Sequence, residues 1–137
     1  MSFIINYCKA GLTLLVGVLG WLFGGFDSLI YALIAFVVID YITGVLLAIC
    51  NKKVSSKIGY KGISKKVFIF LLVGAGNIAD KYIIGTGSSL RSMLIMFYLS
   101  NEGISIIENA GNLGLPMPQK LKDIFKEIGK NDKSGSN

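Results

Sequence analysis

Apolar residues fill the first part of the chain in two nearly unbroken stretches, 10–26 and 29–50. The first holds no charge and the second holds one, Asp40. A helix needs about 20 apolar residues to cross a bilayer. Stretch 10–26 predicts a helix about 25 Å long, short of a core near 30 Å unless Tyr7 to Lys9 extend it. Gly24 and Gly25 permit a chain reversal, and Asp27 and Ser28 are candidate N-caps for the next helix. The two stretches therefore predict a tight helical hairpin. Asp40 lies about halfway along the second helix, where an unpaired carboxylate costs at least about 2.5 kcal/mol. It must face protein or water.

Beyond residue 50 the pattern changes to polar and basic. Lys52, Lys53, Lys57, Lys61, Lys65 and Lys66 occur with no acid among them and with Ser55, Ser56, Gly59 and Gly62 between. This predicts a basic loop, which fixes orientation and holds the protein to an anionic inner leaflet. Two weaker apolar stretches follow, 67–84 and 90–107. The first is interrupted by Gly74, Asn77, Asp80 and Lys81, the second flanked or broken by Arg91 and Glu102. If both cross, four spans return the basic C-terminal end to the side of the basic loop, as the positive-inside rule requires. Three spans place these basic regions on opposite faces, or leave 90–107 in the interface. Glycines and prolines at 111–118 stop the helix. Leu121, Ile124, Phe125 and Ile128 then recur at helical spacing, predicting a short basic amphipathic helix over 118–128 within a cytoplasmic tail, 111–137. Such a helix lies on a membrane or packs on a neighbouring subunit.

Composition narrows the class. Of 137 residues, 53% are hydrophobic and only 16% charged, far below the quarter usual in soluble domains. Four spans would leave no room for a sizeable soluble domain, which excludes most enzyme folds. Fourteen Lys and Arg against eight Asp and Glu give a net charge of +6. Because the lysines sit in the predicted loop and tail, the charge reports topology and not nucleic-acid binding. Histidine is absent and there are two cysteines, Cys8 and Cys50. No metal site, cofactor or catalytic centre is expected. Both thiols are expected on the reducing cytoplasmic side as small apolar fillers. The first residues lack a basic n-region and a cleavage site, so the first helix is expected to remain as a span.

Two patterns bear on function. On a helix over 90–112, Arg91, Tyr98, Asn101, Glu102, Ser105, Glu108, Asn109 and Asn112 share a sector of roughly 120°, opposite Ile95, Met96, Leu99, Ile106 and Ile107. Such a helix lines water, faces a bundle interior, or lies flat at the interface. Gly74, Asn77, Asp80 and Lys81 likewise share a face of the preceding helix, so the two polar sides can pair within a subunit or turn to a common lumen in an assembly. Small residues at Gly20 and Gly24, Gly44 and Ala48, and Ala75 and Ala79 have the four-residue spacing that lets membrane helices approach closely, within one subunit or between copies.

Two stretches resemble a known family. Ile39-Asp40, Thr43-Gly44, Lys52, Ser55-Ser56, Gly59, Gly62 and Lys65-Lys66 resemble the first signature of the phage-lysis and toxin-secretion holins of Gram-positive bacteria. Asn101-Glu102, Ser105, Glu108-Asn109, then Gly114, Pro116, Pro118 and Leu121-Lys122 resemble the second. The charge distribution favours an all-α membrane protein of four spans, or else three, and the resemblance implies that it accumulates in the host cytoplasmic membrane, homo-oligomerises and at a set time opens lesions. A cell-wall hydrolase, or in some relatives a toxin, escapes through them without needing direct contact. On this reading Asp40 and Gly44 belong to the membrane core and Glu102, Ser105 and Asn109 to the polar helix; both termini are placed in the cytoplasm by the charge distribution. Two other classes fit the same residues: a small ion channel or transporter with Asp40 as its ion site, and an antiholin that only inhibits.

Overall fold

A computed structural model describes residues 1–85 and 87–131. The expectations about Lys133 and the polar end, 132–137, lie outside the described residues. Those described form an all-helical protein of five helices: α1 (Ser2–Phe23), α2 (Ser28–Cys50), α3 (Ser56–Ala79, prolonged by a π-turn over Asp80–Ile84), α4 (Ser89–Asn112) and α5 (Gln119–Asn131). Among the described residues, α1, α2 and α3 with its π-turn are long and apolar enough to cross a membrane. α4 is not in that group, so apolarity alone supports three spans.

The hairpin forms as its turn residues predict. α1 extends back to Ser2, well past Tyr7, and ends at Phe23 because Gly24 takes the left-handed conformation (φ 78°) that closes the helix. Asp27 caps α2, its Oδ1 accepting from the Ile30 N–H at 3.1 Å. The basic loop is shorter than predicted. Only 51–55 connect α2 to α3, so Lys52 and Lys53 lie in the connection while Lys57, Lys61, Lys65 and Lys66 ride on α3. Lysine favours helix and no proline intervenes; Gly59 and Gly62 weaken the helix without stopping it.

α2, α3 and α4 pack through stripes with alternating three- and four-residue steps. They are Ile30, Leu33, Val37 and Asp40 on α2; Lys66, Ile69, Val73, Gly76 and Asp80 on α3; Arg91, Ile95, Tyr98, Glu102, Ser105 and Asn109 on α4. This spacing keeps one side of each helix turned to its neighbours. Ile30, Leu33, Val37, Ile69, Val73 and Ile95 form the dry middle; Ile95, expected opposite the polar residues of α4, turns inward with them because it lies only about 40° round the helix from Arg91. Close approach on α3 falls on Gly74 and Gly76 and not on the predicted Ala75, which is exposed. A Cβ on Gly74 would lie 2.7 Å from the Leu22 side chain, and one on Gly76 would meet Leu94. Ala79 is partly buried. Gly20 faces Phe26 of its own hairpin, and Gly24, the cap of α1, lets α3 and α4 approach, since a Cβ there would lie 2.9 Å from Asn77 Cγ and 3.0 Å from Arg91 Nε. A Cβ on Gly44 would lie 3.8 Å from the Asn109 side chain, and Ala48 is partly buried.

Two parts depart from a simple bundle. α1 packs on α3 only through its end, around Leu19, Leu22 and Phe23; everything from Ser2 to Val18 is exposed. α5 begins at Gln119 and, instead of standing apart as a tail, folds back along α4. Both cysteines are free and exposed, not fillers.

Candidate functional site

Polar side chains gather at the two ends of the apolar middle. At the end where α2 begins, Arg91 of α4 is buried to 3% exposure. It donates to Asp27 Oδ2 at 2.9 Å and Oδ1 at 3.0 Å, to the Gly25 carbonyl at 3.3 Å, and to the Phe23 carbonyl. Asp80, 1% exposed, accepts from the Leu90 and Arg91 N–H groups at 3.0 and 2.8 Å, neutralising the positive end of α4. Asn77 donates to the Trp21 and Leu22 carbonyls in the last turn of α1, at 3.2 and 3.0 Å. This knot ties the α1–α2 turn to α3 and α4. Lys81, expected on the same face, is exposed, one residue further round the helix than buried Asp80.

Asp27 is the accessible member of this knot, its side chain half exposed. The hydrogen bond from Arg91 is the largest cause holding its carboxyl below the ordinary value near 3.8, against desolvation that raises it. A depressed carboxyl stabilises the fold fully above its unfolded value and loses that contribution as pH falls through the lower folded value. Wild-type protein is therefore expected to be more stable than Asp27→Asn at pH 7, with the gap closing below about pH 4. Thermal unfolding of the two in detergent across that range checks it; a gap independent of pH would contradict the pairing.

The second cluster joins three helices nearer the other end. Lys66 Nζ lies 2.5 Å from Asp40 Oδ2 and 2.8 Å from Glu102 Oε2. Their side chains are 18%, 11% and 9% exposed. Asn109 donates to Asp40 Oδ1 at 3.1 Å and to Thr43 Oγ1 at 3.0 Å, so the free oxygen of Asp40 is also satisfied. Lys66, assigned from sequence to the inner-leaflet loop, is thus the counter-ion of both buried carboxylates. In a helix its position joins Gly62, Ile69 and Val73 on the inward face; a loop gives such spacing no meaning. That spacing was the signal available for finding it.

A cavity of about 510 Å³ opens beside the cluster. Gly44, Gly59 and Gly62 leave its space unfilled, while Asn101, Ser105 and Tyr41 add polar walls. The polar stripe of α4 therefore faces the bundle interior, with Arg91, Glu102, Ser105 and Asn109 brought inward. Asn101 reaches only the exposed rim, and Glu108 lies exposed beside a separate pocket it shares with Lys122. Lys52 and Lys53, like Lys57, Lys61 and Lys65, are exposed. Among the described residues no group of His, Cys, Asp and Glu is arranged to hold a metal. The cluster holds two carboxylates against one ammonium, an arrangement suited to fixing helices in register or to meeting water.

The family model of the bacteriophage holin family matches residues 17–130, which takes in both clusters and all of α2 to α4. The chain belongs to the bacteriophage holin family. The holin family is one of non-enzymatic membrane proteins, in agreement with the long apolar helices. Relatives of this holin-family chain are uncharacterised proteins of Gram-positive bacteria. An uncharacterised 14.9 kDa protein encoded in the nagH 3′ region of Clostridium perfringens is 38% identical over 128 residues, 93% of this chain and 97% of the relative. An uncharacterised protein of Listeria innocua is 42% identical over 117 residues, 85% of this chain and 83% of the relative. One from Bacillus subtilis is 33% identical over 116 residues, 85% and 81% of the two chains. No solved structure gives a significant match.

Proposed function

We propose that this protein acts as a holin that crosses the bacterial cytoplasmic membrane four times with both termini inside, assembles with copies of itself and opens lesions. Through them a cell-wall hydrolase, or a toxin, leaves the cytoplasm. The observation that carries the proposal is the buried cluster of Asp40, Lys66, Glu102 and Asn109. With its polar side satisfied by α2 and α3, α4 is about 36 Å long and turns Met93 and Phe97 outward, which suits it to cross despite its charges. The same residues, separated from their partners in an assembly, are fit to line water. The exposed apolar length of α1 provides a face for lipid or for another copy.

Induced expression in bacteria tests this. An abrupt loss of membrane potential with release of a coexpressed hydrolase is expected. Loss of potential without release would favour a small channel, and continued growth with intact potential would sink the proposal. For topology, with Cys8 and Cys50 replaced by serine, a cysteine at Ser88 should be labelled from outside and one at Lys57 should not.

A further inference from the structure

α5 runs antiparallel to α4, and its contacts fall on one narrow strip. The Phe125 ring occupies the space of the missing side chain at Gly103, where a Cβ would stand 2.6 Å from it. The ring also meets Phe36 of α2 edge-on at 6.0 Å, and Ser100 donates to the Phe125 carbonyl. Near the end of α5, a Cβ on Gly129 would lie 2.9 Å from Ser100 Oγ. α5 thus covers small residues on α4 that would otherwise be open to another helix.

The docking uses only part of what α5 offers. Phe125 and Ile128 are partly buried, but Leu121 and Ile124 of the same apolar face remain 38% and 47% exposed. α5 carries Lys120, Lys122, Lys126 and Lys130 against Asp123 and Glu127, and among the described residues none of these lysines forms an ion pair. Gly129 is level with Ser100, midway along α4, so Lys126 and Lys130 lie beside the middle of that helix. If α4 is a fourth span, as proposed above, these lysines in the docked state sit at bilayer depth without counter-ions, an unfavourable place for a charge. A bilayer surface would take all four apolar residues of α5, and anionic headgroups would take its lysines.

We propose that α5 is a detachable cover on α4 whose competing partner is an anionic lipid surface. While docked it shields Ser100 and Gly103; on an anionic leaflet it lies flat and leaves them free for close helix packing. The depth of its lysines rests on the four-span proposal, but the exchange of partners is measured separately. In full-length protein with Cys8→Ser and Cys50→Ser, the pair Ser100→Cys and Gly129→Cys reports docking, since their Cβ positions are 3.4 Å apart, close to disulfide range. Reconstituted in phosphatidylcholine vesicles this pair should cross-link. The yield should fall at least about threefold when about a third of the lipid is phosphatidylglycerol. It should recover when Lys122, Lys126 and Lys130 are changed to glutamine. Equal yields in both vesicles would overturn the proposal. A bimane on Lys126→Cys, with Ser100 and Gly129 intact, gives a reading free of the engineered pair: anionic vesicles should raise its quenching by a headgroup-attached quencher, and unchanged quenching counts against the cover. Lipid-dependent cross-linking together with outside labelling of a cysteine at Leu115, in the α4–α5 connection, would support the cover while removing the fourth span.

Discussion

Replacing Lys66 with methionine is expected to destabilise the helix bundle by about 3–5 kcal/mol, the usual result of breaking a buried ion pair by removing one partner. Methionine preserves most of the apolar stem but leaves Asp40 and Glu102 facing each other in a space where both are nearly dry. Two carboxylates without a cation repel, and neither has water enough to screen it. The loss should be largely recovered in Lys66→Met combined with Asp40→Asn and Glu102→Gln, because that variant buries no net charge. Lys61→Met, on the exposed side of the same helix, should change stability by less than about 0.5 kcal/mol. Unfolding of the four proteins in detergent, followed by helix content, makes the comparison. A cost below about 1 kcal/mol for Lys66→Met would mean that the cluster is solvated and does not hold the helices together.

Glu102→Leu is expected to delay or abolish lysis while the protein still accumulates in the membrane. The wild-type cluster has one carboxylate more than its ammonium can neutralise, so its interior favours any arrangement that brings water to it. Leucine leaves Asp40 and Lys66 as a matched pair and makes the inward face of α4 more apolar. The closed bundle gains, and an open one loses a group for water to solvate. Lysis time in induced cultures, read beside the amount of protein in the membrane fraction, tests this. Unchanged timing at normal abundance would remove the polar face of α4 from the mechanism. Glu102→Gln keeps a hydrogen-bond acceptor for Lys66 and should fall between the two.

These expectations depend on residues of unequal visibility. The α1–α2 hairpin was readable because its signals are local: apolar runs, two glycines and an N-cap acid within a few positions. The inward stripe of α4 was also readable, since period alone places Arg91, Glu102, Ser105 and Asn109 on one side. Lys66 was not, because a run of lysines with glycines and serines looks like a loop, and only helix continuity from Ser56 gives its position a direction. Asp80 was recognised as polar and misplaced in company. It caps α4 across the α3–α4 turn, while Lys81, one residue further round the helix, is exposed. Gly74 and Gly76, flanking Ala75, show the same limit: which small residue meets a neighbour depends on how the helices are rotated.

The sequence by itself determined that this is an all-helical membrane protein of the holin family, with its charges sorted between basic flanks and a few costly positions in or beside the spans. The helical spans and the sorting of charge follow from composition, period and local turn chemistry, and the family from the resemblance of two signatures, each written within a short stretch of chain. Only the tertiary structure decided that Lys66 neutralises Asp40 and Glu102 over sequence separations of 26 and 36 residues, that Arg91 locks the hairpin 64 residues before it, and that α5 returns to cover Gly103. Pairing of charges and filling of a missing side chain are three-dimensional events. They depend on the rotation and offset of whole helices, which no local pattern contains.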